Sequence, residues 1–182
     1  QVGLLDSYHT NRFSVNMLGR QMGKTTTAVG YLLWYAMFVP DSTILIAAHK
    51  YTGAQEIMQR LRYAYEMCPD MIRAGVVSYN KQSIEFENGS RIVAQTTTET
   101  TGRGMSISLL YLDEFAFVEP NIATEFWTSI SPTLATGGKA IITSTPNSDE
   151  DQFALIWKEA NKRIDEYGNS TDLGKNGFFP YM

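Results

Sequence analysis

The sequence predicts an α/β fold with a mainly parallel central sheet, helices on its faces and one antiparallel hairpin. Three observations support this prediction. Short apolar runs bounded by turn residues, which are typical of strands covered on both faces, alternate with helical patterns along the chain. A stretch with a period of two surrounds Asn88-Gly89, which is a strong hairpin signal. At 182 residues the chain suits one domain with a full core.

The first half of the chain alternates strands and helices with clear boundaries. The apolar residues of Phe13–Leu18 predict a short strand that leads into a glycine-containing loop. The helix Lys24–Val39 follows and is stopped by Pro40. Thr43–Ala48 is a continuous apolar run and predicts a buried parallel strand. A helix beginning at a Thr52/Gln55 capping box follows, with apolar residues at helical spacing, and Pro69 closes it.

The second half begins with the hairpin and returns to buried strands. Its predicted elements, in order, are the hairpin strands Ile84–Glu87 and Arg91–Ala94, a polar loop Thr96–Gly104, a strand Leu109–Glu114, a helix from Asn121 towards Thr128, a strand Lys139–Thr145 and an amphipathic helix Phe153–Ile164. We expect residues 1–166 to form one domain. Residues 167–182 are rich in Gly, Asn and Ser, and we expect a loop or linker and the start of a following segment, with no nuclease domain present.

Composition excludes several classes of protein. Hydrophobic residues make up 43% and charged residues 19%, as in ordinary globular proteins. The single cysteine, Cys68, cannot form an intramolecular disulfide, which favours a reducing compartment. The uncharged stretch Thr25–Val39 is shorter than the roughly 20 residues of a bilayer-spanning helix, and no secretory signal opens the chain. A net charge of −4 argues against strong DNA binding through the overall electrostatic field of the chain.

The sequence Leu18-Gly19-Arg20-Gln21-Met22-Gly23-Lys24-Thr25 resembles a phosphate-binding loop in which Leu18 replaces the usual first glycine. A Gly-Lys-Thr that opens a helix lets backbone amides, the lysine ammonium and the helix dipole surround a phosphate chain. We expect Lys24 to reach the β- and γ-phosphates and the Thr25 hydroxyl to bind Mg²⁺. The nucleotide-binding residues predicted from this motif and from the strand that follows are Gly19, Arg20, Gln21, Met22, Gly23, Lys24, Thr25, Thr26 and Asp113.

Two carboxylates follow the apolar run Leu109–Leu112 and complete the predicted site. A buried strand seldom ends in paired acids without a cation nearby. We expect Asp113 to bind Mg²⁺ and Glu114 to orient and polarise the attacking water. The strand Thr43–Ala48 separates the Lys24 helix from this strand along the chain. That order, with a glutamate after the aspartate, predicts a P-loop NTPase of the additional-strand, catalytic-glutamate type that hydrolyses ATP.

Further polar residues flank these motifs. Arg20 and Arg103 are both candidates to stabilise charge on the transferred phosphoryl group: Arg20 within its own chain, Arg103 from a flexible loop that could reach a neighbouring subunit. The run Thr143-Ser144-Thr145 either senses the γ-phosphate or satisfies local backbone groups. His49 and Lys50 end a strand and are expected to face solvent.

The motifs together resemble the ATPase domain of the large terminase subunit of T-even-like tailed bacteriophages over nearly the whole chain. The resemblance rests on the phosphate loop and on Ala48-His49-Lys50, Tyr79–Glu85, Asn88-Gly89-Ser90, Tyr111–Phe117 and Ile142–Asn147. It implies a Mg²⁺-dependent ATPase that powers movement of double-stranded DNA into a procapsid in the host cytoplasm. The implied partners are the portal protein, the small terminase subunit and further copies of the chain in a pentameric ring.

The resemblance also implies roles for individual residues. Gln1 matches the adenine-contacting glutamine of the family, Arg20 the arginine of its phosphate loop, and Arg103 an arginine proposed to act across subunits. Thr143, Ser144 and Thr145 match the motif that couples hydrolysis to movement. Large terminases also carry a nuclease with clustered acids, and nothing after Pro146 has that pattern, so we expect no DNA cleavage by this chain.

Two other functions remain open at this stage. A superfamily-two helicase shares several of these motifs but needs a second ATPase-like lobe. Here Phe115-Ala116 follow the Asp-Glu pair, in place of the Ala-Asp, or the histidine at the next-but-one position, of such helicases. A nucleotide-binding assembly module would have no use for a water-activating Glu114.

Overall fold

The computed structural model describes residues 1–182 and contains a single eight-stranded sheet with five helices. The strands are β1 Phe13–Met17, β2 Thr43–Ala48, β3 Val76–Tyr79, β4 Ser83–Phe86, β5 Arg91–Thr96, β6 Leu109–Asp113, β7 Lys139–Ser144 and β8 Phe179–Tyr181. The helices are α1 Val2–Thr10, α2 Lys24–Phe38, α3 Tyr51–Met67, α4 Pro120–Ala135 and α5 Gln152–Ala160, and a short 3-10 helix spans Phe115–Phe117. None of the helices combines the length and apolar character that crossing a bilayer requires.

The strand order β3-β4-β5-β2-β6-β7-β1-β8 confirms the predicted mainly parallel sheet with an antiparallel hairpin. In this spatial order, every pair of neighbouring strands from β5 through β2, β6, β7 and β1 to β8 is parallel. The strand β4 pairs antiparallel with both β3 and β5. The strand β1 enters the phosphate loop, and β6 carries the carboxylates. The sequence pattern predicted Thr43–Ala48 as the added strand, but the strand that lies between β1 and β6 in the sheet is β7, and Thr43–Ala48 forms β2 on the far side of β6.

The two faces of the sheet are covered by different helices. The helices α1, α2 and α3 pack on one face, where Leu32, Met58 and Tyr111 are fully buried. The helices α4 and α5 pack on the other face, against residues such as Leu110 and Ile142. Strands covered on both faces need apolar residues at every position, which explains the continuous apolar runs of β2, β6 and β7.

Several predicted boundaries were wrong. The helix α1 was not predicted at all. The Thr52/Gln55 capping box does not form, because α3 begins at Tyr51 and the Gln55 amide instead donates to the Tyr51 hydroxyl at 2.9 Å. The helix α5 ends at Ala160, and Ile164 is exposed on a separate bridge with Ser170.

Two elements extend further than their sequence signals. The helix α4 continues through Pro132 to Ala135, because its buried residues Ile130 and Leu134 anchor the last turns against the sheet. The residues after position 166 begin as turns, but Phe179–Tyr181 form β8, which pairs in parallel with β1. The end of the chain therefore belongs to the same sheet as the phosphate loop.

Candidate active site

The carboxyl ends of β1, β6 and β7 meet at one edge of the sheet and bring the predicted motifs together. The register pairs Asp113 with Thr143, and Met17 with Ser144. The Leu18 amide donates to the Ser144 carbonyl at 3.1 Å, which extends this register into the start of the loop. In open parallel sheets ligands bind outside the carboxyl ends of the strands, so this edge is the expected binding position.

The phosphate loop is shaped by its backbone. Gln21 and Gly23 have left-handed backbone angles, with φ of 59° and 74°. Gly23 caps α2 without a side-chain hydrogen bond, so the first amides of the helix are left for a ligand. The side chains of Arg20, Gln21 and Met22 are exposed. Thr27, in contrast, donates its hydroxyl to the Gly23 carbonyl at 2.9 Å, as expected of a first-turn helix residue.

Lys24 and Glu114 form a salt bridge across the site. The Lys24 side chain is 10% exposed and that of Glu114 28% exposed, so the pair is largely shielded from water. Glu114 itself has a left-handed backbone with φ of 50°, which is unusual for a residue with a side chain and turns its carboxylate away from the strand direction.

The residues Ser144 and Thr145 hold the other side of the Glu114 carboxylate. Its Oε2 accepts from the Thr145 amide at 3.3 Å and from the Thr145 hydroxyl at 3.1 Å. The Ser144 hydroxyl lies 3.4 Å from the same oxygen and accepts from the Ala116 amide at 3.2 Å. Thr143 differs, because its hydroxyl is buried and has no hydrogen-bond partner. Two of the three predicted coupling residues therefore contact Glu114 directly.

The two neighbouring carboxylates have opposite electrostatic environments. Burial raises the pKa of Asp113 from 3.8 to about 6, and the charge of Glu114 adds to the rise. Burial would also raise the pKa of Glu114, but the hydrogen bond and charge of Lys24, with the two bonds from Thr145, bring it below its ordinary value. Glu114 is thus held ionised, while Asp113 lacks a comparable partner.

Asp113 has a carboxylate and Thr25 a hydroxyl, which are oxygen donors of the kind that Mg²⁺ prefers. The one side-chain hydrogen bond to the Asp113 carboxylate comes from the Tyr111 hydroxyl at 3.4 Å, and the charge of Lys24 lowers the pKa of Asp113 by less than burial raises it. That imbalance fits a divalent cation at this position. No group of three or more His, Cys, Asp and Glu side chains converges anywhere in the chain. Mg²⁺ commonly binds through one or two protein groups and takes its other ligands from water and substrate phosphates.

Two cavities are lined by residues of the predicted site. One, of about 530 Å³, lies between α1 and α2 and is lined by Gln1, Thr26 and Thr27 among others. A Cβ atom added at Gly23 would meet the Gln1 amide, so Gln1 lies against the phosphate loop. The other cavity, of about 320 Å³, is lined by Arg20, His49, Lys50, Glu114, Phe117 and Thr145. A further cavity of about 540 Å³ lies against α4 and α5 and contains none of the predicted site residues.

The structure separates the two candidate arginines. Arg20 lines the cavity beside Glu114, whereas Arg103 is exposed on the loop before β6 and does not line it. That loop is more ordered than its sequence indicates. The Thr101 hydroxyl donates to the Thr96 carbonyl at 2.6 Å and accepts from the Thr98 amide at 2.9 Å.

His49 and Lys50 are the site residues that sequence reasoning missed. Both were expected to face solvent; Lys50 is exposed and His49 is half-buried, and both also line the cavity that contains Glu114. The signal was present, because they directly follow β2, and β2 is parallel to β6 with Ala48 opposite Asp113. Residues that directly follow neighbouring parallel strands lie at the same edge of a sheet.

Comparison with known proteins gives a consistent result. Residues 15–172 match the family model described as terminase large subunit, T4likevirus-type, N-terminal. The large terminase ATPase domain of Thermus phage P74-26 is similar over 100% of this chain and 79% of its own, with a TM-score of 0.75 and 21% identity. The HK97 bacteriophage large terminase matches over 94% of this chain and 35% of its own, with a TM-score of 0.71 and 16% identity.

The large terminase of the thermophilic bacteriophage D6E has been solved in complex with ADP. It matches over 98% of this chain and 43% of its own, with a TM-score of 0.67 and 12% identity. The same D6E protein in complex with ATP-gamma-S gives a TM-score of 0.63. At these identities the likeness establishes the fold.

Proposed function

Because the chain belongs to the T4-like family of large terminase subunits and matches the N-terminal part of these proteins, we propose that it is the ATPase domain of a motor. This motor moves double-stranded DNA into a procapsid in the host cytoplasm. The observation that carries this proposal is the placement of Glu114 between Lys24 and Thr145, at the mouth of the phosphate loop. A carboxylate held ionised beside a phosphate loop can polarise water, which a protein that only binds nucleotide does not need.

The residues of the phosphate loop hold the nucleotide in this proposal. The free amides at the start of α2 and the Lys24 ammonium bind the β- and γ-phosphates, and Gln1 contacts the base from the α1 side. Lys24 exchanges its salt bridge with Glu114 for the phosphates when the nucleotide enters. Thr25 and Asp113 would hold Mg²⁺, which supplies neutralisation of charge on the phosphate oxygens.

Glu114 orients and polarises the attacking water. The water oxygen bonds to the γ-phosphorus, the bond from that phosphorus to the bridging oxygen of ADP breaks, and the released proton passes through the Glu114 carboxylate to solvent. ADP and orthophosphate are the products. Thr145 and Ser144 fix the direction of the carboxylate, and a change in their position would therefore transmit the state of the site to β7.

We further propose that Arg103 acts on a neighbouring copy in a pentameric ring on the portal protein, with the small terminase subunit as a further partner. Its exposure and its position outside the Glu114 cavity support this, since a residue that serves its own site should line it. We also propose that hydrolysis requires Mg²⁺ and that residues 1–182 do not cleave DNA.

The test is ATP turnover per chain, measured with Mg²⁺ over a wide range of protein concentration. We expect turnover per chain to rise with concentration in the wild type and to stay flat and low in Arg103→Ala. Lys24→Ala should show no turnover at any concentration. Constant turnover in both wild type and Arg103→Ala would place the whole site in one chain and make Arg20 the stabilising arginine. Absence of turnover in the wild type at every concentration would contradict the proposed function.

A further inference from the structure

The cavity between the ends of β2 and β6 contains two residues, His49 and Lys50, that the hydrolysis steps above do not use. They line it together with Arg20, Glu114, Phe117 and Thr145. Its position follows from the sheet, because Ala48 pairs with Asp113, so the residues after each strand face each other across the cavity. The His49 ring lies beside Phe117, with 6.1 Å between the ring centroids.

The charges around this cavity favour a small anion. Arg20 and Lys50 each contribute a positive charge, and both side chains are exposed and free to move onto a ligand. Glu114 is the one negative side chain of the lining, so the two cations leave the cavity with a net positive charge even when Lys24 is bound to a nucleotide. The His49 ring adds a further hydrogen-bonding group, whereas the Thr145 hydroxyl already donates to Glu114. Such a set of donors matches the oxygens of a phosphate ion.

The position of the cavity relative to the nucleotide gives the identity of the anion. Gln1 lies against Gly23, and Lys24, the next residue, is bonded to Glu114, which lines the cavity together with Lys50. A terminal phosphoryl group held by Lys24 would therefore lie beside this cavity. At about 320 Å³ the cavity can hold an orthophosphate ion together with several waters, each of which occupies about 30 Å³ in the liquid.

We propose that this cavity is a binding site for the orthophosphate product, in which Lys50, with Arg20 and His49, holds the ion after it has separated from ADP. This inference rests on the proposed ATPase function. It assigns His49 and Lys50 to product release, whereas Lys24 and Thr25 serve the nucleotide. Loss of Lys50 should therefore weaken orthophosphate binding and leave the affinity for ADP and ATP nearly unchanged.

The experiment measures binding of inorganic phosphate to the chain loaded with Mg-ADP, at constant ionic strength set with chloride. Titration calorimetry gives the dissociation constant for orthophosphate, and inhibition of ATP turnover by orthophosphate gives an independent value. In Lys50→Ala we expect both constants to rise about tenfold, as for the loss of one charge-assisted hydrogen bond, with the dissociation constant of ADP changed less than about twofold. Lys50→Arg should retain most of the binding, because it keeps the charge.

The matched control is Lys175→Ala, which removes the same charge from an exposed lysine in the turn before β8. It should leave orthophosphate binding unchanged. Equal weakening of ADP and orthophosphate in Lys50→Ala would assign Lys50 to the nucleotide phosphates and overturn the inference. Loss of affinity for duplex DNA with unchanged orthophosphate binding would instead assign the cavity to the DNA backbone. The calorimetric measurement does not require turnover, so a wild type that binds orthophosphate but fails to hydrolyse ATP would contradict the proposed function alone.

Discussion

Two loops form the walls of the candidate active site, and the protein holds them in opposite ways. The loop after β6 is fixed by side chains: Glu114 is bonded on one side to Lys24 and on the other to Thr145, and the Asn147 amide donates to the Ala116 carbonyl at 3.2 Å. The phosphate loop, residues 18–23, is fixed by backbone angles and by its connection to β7, and the side chains of Arg20, Gln21 and Met22 are exposed.

This difference indicates a division of labour. In the proposed mechanism the loop after β6 is the chemical wall, and its hydrogen bonds within the chain mean that nucleotide binding would need little reorganisation there. The phosphate loop is the gripping wall, whose amides and arginine would bind the phosphates. Both walls contain a non-glycine residue with a left-handed backbone, Gln21 and Glu114, which costs of order 1–3 kcal/mol each and is typical of functional sites.

Replacing Glu114 with Gln should impair hydrolysis at the chemical wall and leave ATP binding by the gripping wall intact. The substitution keeps the shape of the side chain but removes the charge that polarises water. We expect turnover to fall by about 10²–10⁴-fold, while ATP still binds through the loop amides and Lys24. Rapid quench under single-turnover conditions measures the first quantity, and equilibrium binding of a fluorescent ATP analogue the second. Glu119→Gln, at an exposed carboxylate just before α4, is the control. Normal turnover in Glu114→Gln would remove the proposed mechanism.

Asp113 is the carboxylate of the chemical wall whose burial outweighs the charge of Lys24, and Asp113→Asn tests this directly. Its pKa is about 6 in the folded chain against an ordinary value of 3.8. The unfolded chain therefore releases the proton at lower pH than the folded chain, and the free energy of unfolding falls as pH rises from about 4 to 6. In metal-free buffer at pH 7.5, we expect Asp113→Asn to be more stable than wild type by about 1–3 kcal/mol.

Urea unfolding with EDTA at pH 7.5 and at pH 4.5 measures this difference, which should shrink at the lower pH. Asp149→Asn, at an exposed position, controls for the general loss of one negative charge. Equal stability of Asp113→Asn and wild type at pH 7.5 would mean that the carboxylate is compensated by the protein itself.

The sequence predicted the centre of the sheet well and its margins poorly, for a physical reason. The strands β2, β6 and β7 are covered on both faces, so almost every residue must be apolar. This pattern can be recognised from the amino-acid sequence alone. Burial of the margins depends on partners elsewhere in the chain. The helix α1 buries only Leu4, Ser7 and Tyr8, and β8 is a three-residue edge strand that contains Pro180.

The same distinction applies to the site. Lys24, Asp113 and Glu114 belong to local motifs whose chemistry can be recognised from neighbouring residues alone. The contacts of Ser144 and Thr145 with Glu114, and the placement of Lys50, depend on which strands are neighbours in the sheet. The sequence left the role of Thr143–Thr145 open between phosphate sensing and local backbone bonds. The observed contacts add a third role, because Ser144 and Thr145 contact the carboxylate of Glu114.

Thr145→Val tests whether the contact between the Thr145 hydroxyl and Glu114 contributes to turnover. Valine has nearly the shape of threonine but lacks the hydroxyl that donates to Glu114 Oε2 at 3.1 Å, while the bond from the Thr145 amide at 3.3 Å remains. Hydrogen bonds to charged groups contribute about 1.5–3 kcal/mol. Since the amide and Lys24 still hold the carboxylate, we expect the lower end of that range, which corresponds to about a tenfold loss of turnover. The matched control is Thr136→Val, which removes an exposed hydroxyl bonded to the Thr133 carbonyl at the end of α4.

The pH dependence of Thr145→Val separates a direct role from a general loss of structure. The bonds from Thr145 help to lower the pKa of Glu114, so their partial loss must raise that pKa. Glu114 is active as the carboxylate, and the acid limb of the turnover profile should therefore move to higher pH, with the loss of turnover greatest at low pH and smallest above neutrality. A reduction by the same factor at every pH would mean that Thr145 only supports the fold of the loop. A shifted acid limb with unchanged unfolding free energy would establish that β7 tunes the charge of the residue that activates water.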